Sequence, residues 1–260
     1  MKSILYRVAH RRQFYLLVTV NVILGVSGLF TSGIFGDFPQ SNYLFYPVSV
    51  YSFPMIVTPF PSSVIFKFLF PLLVCIAVGD LVAEDINSGY IKSFIAHSNL
   101  KNYLTQNMLV SFIVGGIVGM LPAIINFISL LYFVPHTPLN QFYSMFLVNH
   151  QEFLPSLYYS HPLLYLLVRF IFIFIFGGAL SLLATTLAFR GKNRYVAIVT
   201  PMFIVMAIDM VIQFMAPDRF TLSSQYIGTE NIRMTGIVFV LFIFMFAIFT
   251  RISGIKKHEI

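Results

Sequence analysis

Six long apolar runs divide this sequence, near positions 14–35, 63–82, 108–133, 163–189, 195–216 and 234–250. A helix needs about 20 consecutive apolar residues to cross a bilayer core, and each run is of that order. The runs are continuously apolar rather than alternating, so they predict helices and not the short alternating strands of a barrel. Composition agrees. Hydrophobic residues make up 58% of the 260 and charged residues 10%, whereas soluble domains carry about 25% charged residues. Mean hydropathy is +0.86. The expected fold class is an all-α integral membrane protein with six transmembrane helices, forming one transmembrane domain over residues 1–260.

The basic residues orient these spans. Lys2, Arg7, Arg11, Arg12, Lys92, Lys101, Arg190, Lys192, Arg194, Arg251, Lys256 and Lys257 all fall on one side of the implied membrane. The opposite connections carry only Arg219 and Arg233. An excess of Lys and Arg marks cytoplasmic loops. A multi-pass protein of the plasma membrane with both termini in the cytoplasm is therefore expected. This bias accounts for the net charge of +7. A nucleic-acid partner is not implied, because no basic residues cluster with stacking aromatics. The first run is long and no A-x-A site follows it, so it reads as a retained helix rather than a cleaved leader.

The longest connections, near 36–61 and 134–162, fall on the side poor in basic residues and are rich in Phe, Tyr and Pro. Aromatics at that density suit the head-group layer. Such segments either dip into the outer leaflet or form packed lids. The lone Cys75 lies inside the second run, allows no internal disulfide or cysteine metal cluster, and reads as a small buried apolar residue. His136, His150 and His161 are widely spaced loop histidines without metal-ligand spacing.

Three charges fall inside spans: Lys67, Arg169 and Asp209. At 1.5 Å per residue, Arg169 and Asp209 lie about 10 Å below the same membrane boundary. An unpaired charge there costs about 2.5–3.5 kcal/mol on insertion scales. An Arg169–Asp209 contact is therefore expected, either as an interhelical staple or as part of a substrate path, while Lys67 can snorkel outward. Gly115-Gly116-x-x-Gly119 and Gly177-Gly178-Ala179 offer small-residue faces for close helix packing, read as seams within the chain.

The connection between the second and third spans runs Glu84-Asp85-Ile86-Asn87-Ser88-Gly89-Tyr90-Ile91-Lys92-Ser93-Phe94-Ile95-Ala96-His97. Ile86, Tyr90, Ile91, Phe94 and Ile95 recur at helical spacing. Glu84 and Asp85 precede them, where a helix N-terminus favours negative charge. The pattern predicts one short amphipathic helix, which either lies in the interface as an anchor or docks into something below it.

Here the chain resembles the ABC type-2 permeases, most of all the small permease subunits of Gram-positive bacteria associated with peptide, bacteriocin or lantibiotic export and self-immunity. The likeness rests on Glu84-Asp-x-x-x-Gly89-x-Ile91-Lys92, a polar turn and Tyr103, together with six spans and a basic amphipathic N-terminal segment. In that family an acidic residue ends the second span, a Gly follows, and a coupling helix contacts the ATPase. The family's Ser-Arg pair in the turn is replaced here by Asn99-Leu100-Lys101, and Asn107 stands where a basic residue opens the third span.

The resemblance implies a transmembrane subunit of an ATP-driven exporter that moves an amphipathic peptide or lipid-like substrate. Glu84, Asp85, Gly89, Tyr90, Lys92 and Phe94 would couple it to the ATPase. The implied partners are a cytoplasmic ATP-binding subunit, a second permease subunit, identical or related, and membrane lipid. No cofactor is expected in this chain, since ATP and Mg would bind the partner. The sequence agrees in carrying no G-x-x-x-x-G-K-[ST] loop, no H-E-x-x-H and no G-x-S-x-G, and the chain is not expected to be an enzyme. The alternatives are a membrane enzyme at the head groups, whose best acidic cluster is Asp80, Glu84 and Asp85, and a non-transporting scaffold or receptor.

Overall fold

The computed structural model describes residues 2–32, 34, 49–58, 60–79, 81–91, 94, 99–139, 147–149, 151–191, 193–215 and 221–256. Among these, ten helices are present: α1 (Lys2–Ala9), α2 (Arg12–Thr31), α3 (Pro61–Val78), α4 (Leu81–Asn87), α5 (Leu100–Phe133), α6 (Pro155–Ser160), α7 (Pro162–Gly191), α8 (Arg194–Met215), α9 (Leu222–Ile227) and α10 (Met234–Lys256). Six helical stretches are long and apolar enough to cross a membrane, and each predicted run overlaps one of them, the first extending past the helix end at Thr31. The chain is an all-α protein of multi-pass membrane character.

Local chemistry sets the boundaries. Pro61 opens α3 after an extended Phe60, the position where a missing N–H costs least. The side chain of Thr221 accepts from the Ser224 N–H and caps α9, as short polar side chains do at helix starts. α5 departs most from expectation. It begins at Leu100 rather than near 108 and runs for 34 residues, about 50 Å at 1.5 Å per residue. Its first two turns carry Lys101, Asn102, Thr105, Gln106 and Asn107. These residues tolerate a helix but not lipid, so the helix continues beyond its apolar stretch.

The core is the antiparallel pairing of α5 with α7. A Cβ added at Gly115 would lie 2.2 Å from the Ser181 Cβ, one at Gly116 would meet the Phe174 ring, and one at Gly178 would meet Phe112. Ser111 donates to the Ser181 carbonyl at 2.8 Å, and Thr185 donates to Ser111 at 2.6 Å. The small-residue faces are thus seams within the chain. Gly115→Ala is expected to push the two helices apart and lose about 1–3 kcal/mol, the usual cost of overpacking. Denaturation in mixed micelles measures this. Gly191→Ala, whose Cβ meets open space, serves as the neutral control.

On the other faces, α2 runs parallel to α5, with Gly25 against Ile125 and Gly28 against Asn126. α3 fits beside α7 through Phe70 and Phe176, stacked at 5.6 Å. Cys75 is buried and donates to the Leu180 carbonyl. The termini, α4 and the α7–α8 junction share one end of the bundle, called here the terminal end. Residues 49–58, α6 and α9 share the other, distal end.

Residues 49–58 pack as a buried segment without regular helix. Tyr51, Phe53, Met55 and Ile56 are all buried. The Met55 N–H donates to Asn126 Oδ1 at 2.9 Å, and the same amide donates to the Gly25 carbonyl at 3.1 Å. Tyr158 donates to the Tyr51 carbonyl at 2.9 Å. Non-helical backbone inside a membrane protein needs such partners, because lipid offers none. This stretch is packed into the chain itself, against α2, α5 and α6. Residues 35–48, 140–146 and 150 lie outside the described residues.

Candidate functional site

At the terminal end, α1 is amphipathic. Ile4 and Val8, one turn apart, are buried against Leu17, Val78, Leu81 and Val110. That burial turns Arg7 toward α4. Arg7 Nη1 donates to Asp85 Oδ2 at 3.1 Å and Nη2 bonds Oδ1, a bidentate pair. Tyr103, near the start of α5, donates to the same Oδ2 at 2.6 Å. Arg11 forms an ion pair with Glu84. Asp85 is only 1% exposed, so three helices converge on one buried carboxylate. Hydrogen bonding to Asp85 raises the Arg7 guanidinium above its ordinary range, against the opposing effect of burial.

The amphipathic stretch is not one continuous helix. α4 stops at Asn87, and Gly89 takes a left-handed conformation at φ +74°, which glycine adopts without the strain of a Cβ. Helix resumes at Tyr90. Glu84 therefore closes the first turn of α4 and Asp85 follows it, whereas the sequence pattern put both at the start of a helix running on through Ile95. The apolar stripe is also partly spent inside the chain. Phe94 meets the Tyr103 ring edge-on at 5.2 Å, and Ile91 is buried with Leu100, Tyr103 and Leu104. Tyr90 remains 39% exposed, with the Arg7 guanidinium 4.6 Å from its ring centroid. Lys92, His97 and Asp80 lie outside the described residues.

The three span charges do not assemble as expected. Arg169 is fully buried, yet its partners are Tyr165 Oη at 3.3 Å, the Gln225 carbonyl at 3.2 Å and the Glu230 carbonyl at 2.9 Å. The Phe153 ring lies 4.7 Å away. Asp209 accepts instead from the Leu222 N–H at 2.6 Å and from the Ser223 hydroxyl at 2.6 Å. The correction has a physical reason: α9 stands between them. Its N–H groups at one end take the carboxylate, and its Gln225 carbonyl toward the other end, with the Glu230 carbonyl just beyond, takes the guanidinium, in the sense that the helix dipole favours. The Lys67 Nζ lies 3.2 Å from where a Gly228 Cβ would stand, beside the turn that follows α9.

Several partners were not singled out from the sequence. Arg7 was read only as part of a basic segment, and Asn126 as one more residue of an apolar run. Glu152 and Glu230 went unmarked because they lie outside the spans. Scarcity was the available signal, since only nine acidic residues occur in the chain. Among the described residues, no group of three or more His, Cys, Asp or Glu is arranged to hold a metal ion. No family model, curated protein or solved structure matches this chain.

Proposed function

We propose that this chain is the transmembrane subunit of an ATP-driven exporter, coupled through the α4–α5 junction to a separate ATPase subunit. The observation that carries the reading is the junction itself. Asp85 ties α1 and α5 to the end of α4, and directly beyond the Gly89 turn an aromatic side chain, Tyr90, is left partly uncovered. A push on the segment beyond Gly89 reaches α1 through Arg7 and the long α5 through Tyr103, without passing through lipid. In this reading Asp85 and Phe94 position the segment, while Tyr90 and Glu84, which is about half exposed, face the partner.

The charge bias supports a cytoplasmic terminal end, where an ATPase would be met. A second permease subunit, identical or related, completes the pathway. ATP-driven closure of the partner then biases the bundle between two states. The aromatic distal connections suit an amphipathic peptide or lipid-like substrate.

The test is co-purification in detergent with the neighbouring gene products, scored by photolabelling with an azido-ATP probe. Wild-type chain should retain a nucleotide-labelled partner. Tyr90→Ala removes an aromatic anchor of the kind that contributes about 2 kcal/mol or more at interfaces, so capture should fall at least tenfold while the chain still inserts. Undiminished capture by Tyr90→Ala, or no nucleotide-labelled partner with either chain, would overturn the proposal.

A further inference from the structure

Two loops meet at the distal end. The Phe153 N–H donates to the Thr229 carbonyl at 3.1 Å, and the Asn231 side-chain amide donates to the Gln151 carbonyl. These two bonds bring 153 to 229 and 151 to 231, so the two loops run antiparallel here and Glu152 and Glu230 both lie between the bonds. Both glutamates keep one buried carboxylate oxygen, Oε2, without a hydrogen-bond partner. Two like charges directly opposed are destabilising, and an unsatisfied buried oxygen adds to that. One proton answers both, because a protonated carboxyl donates while the facing carboxylate accepts.

We propose that Glu152 and Glu230 form a proton-operated latch that fastens the 151–153 loop to the 228–231 loop. The proton sits on Glu230 Oε2 and is donated to Glu152 Oε2. Its loss leaves two facing carboxylates and loosens the loops. Burial raises the Glu230 carboxyl above its ordinary range and Glu152 adds to the rise, while the Ser224 hydroxyl, Lys67 and Arg169 oppose it. The charged and titratable groups around the pair are Lys67 from α3, Arg169 and Tyr165 from α7, and Tyr158 and Tyr159 from α6. Arg169 couples the latch to the bundle, since its guanidinium holds the Glu230 carbonyl and lies against Phe153. The latch is independent of any transport role.

With its folded-state pKa raised, Glu230 keeps a proton in the folded chain at a pH where the unfolded chain has lost it. The latch therefore tightens as pH falls from neutrality toward about 4.3, the ordinary glutamate value, and gains nothing further below it. Hydrogen exchange at the Phe153 amide, in full-length protein in nanodiscs and corrected for intrinsic rates, reads this directly. Protection should rise on acidification by up to about tenfold for each unit by which the carboxyl is raised.

Glu230→Gln should abolish the pH dependence, and Glu152→Gln should move it to lower pH by removing the like charge. A flat wild-type profile would overturn the latch, as would a wild-type-like profile in Glu230→Gln. An unmoved profile in Glu152→Gln would overturn the pairing. Should neither variant fold, Glu152→Cys with Glu230→Cys in a Cys75→Ser background is expected to form a disulfide, and failure to cross-link would refute the register.

Discussion

Asp85→Ala is expected to destabilise the chain by about 3 kcal/mol, the low end of the range for breaking a buried ion pair. The low end applies because Arg7 is about one-third exposed and recovers some hydration when freed. The loss has two parts, since Tyr103 shares the same oxygen. Tyr103→Phe isolates its share at about 1.5–3 kcal/mol, the usual range for a hydrogen bond to a charged group. A double-mutant cycle with Arg7→Gln separates the remainder. Denaturation in mixed micelles measures all three. A change within about 0.5 kcal/mol for Asp85→Ala, typical of a surface position, would show that the carboxylate does not join the three helices.

Arg169→Met should cost about 2–5 kcal/mol, since each buried carbonyl it leaves without a donor costs about 1–3 kcal/mol. The partners of Arg169 at Gln225 and Glu230 are backbone carbonyls, which no substitution removes, so both are left without a donor when the guanidinium goes. Arg169→Lys should not rescue the loss. A single ammonium lacks the planar fork needed to reach Tyr165, Gln225 and Glu230 together. Combining Arg169→Met with Asp209→Asn decides whether the two charges touch. Since each holds a different end of α9, the two losses should add to within about 0.5 kcal/mol. Partial rescue in the double variant would restore the direct pair expected from the sequence.

That expectation was reasonable at the level of depth. Rise per residue places Arg169 and Asp209 at similar heights, and two opposite charges there ought to seek each other. It overlooked a third element. Residues 222–227 lie between spans, and six residues with two serines and a glutamine carry no apolar period to announce an inserted helix. Buried beside α7 and α8, that helix presents unsatisfied N–H and C=O groups of its own, and they compete for both charges.

The segment beyond α4 departs from expectation for a related reason. Spacing alone made Ile86 to Ile95 one amphipathic helix, but periodicity does not register the left-handed turn at Gly89. The aromatics were legible as apolar. That Phe94 meets Tyr103 of the same chain, while Tyr90 stays partly uncovered, was not legible.

What the sequence by itself determined is everything that depends on a solvent averaged along the chain. Twenty apolar residues in a row have one stable response to lipid, a helix, because no other local structure bonds its own backbone. The number of crossings, the class of fold and the internal glycine seams follow from that response. The tertiary structure decided the pairings. Residues 49–58 are bonded to Asn126 and Tyr158, Asp85 to Arg7 and Tyr103, and Phe153 to Thr229. Each is a contact between residues far apart in the chain, and its energy comes from geometry and burial that neither residue carries alone. Local pattern specifies which groups must be satisfied, and only the packed bundle specifies by what.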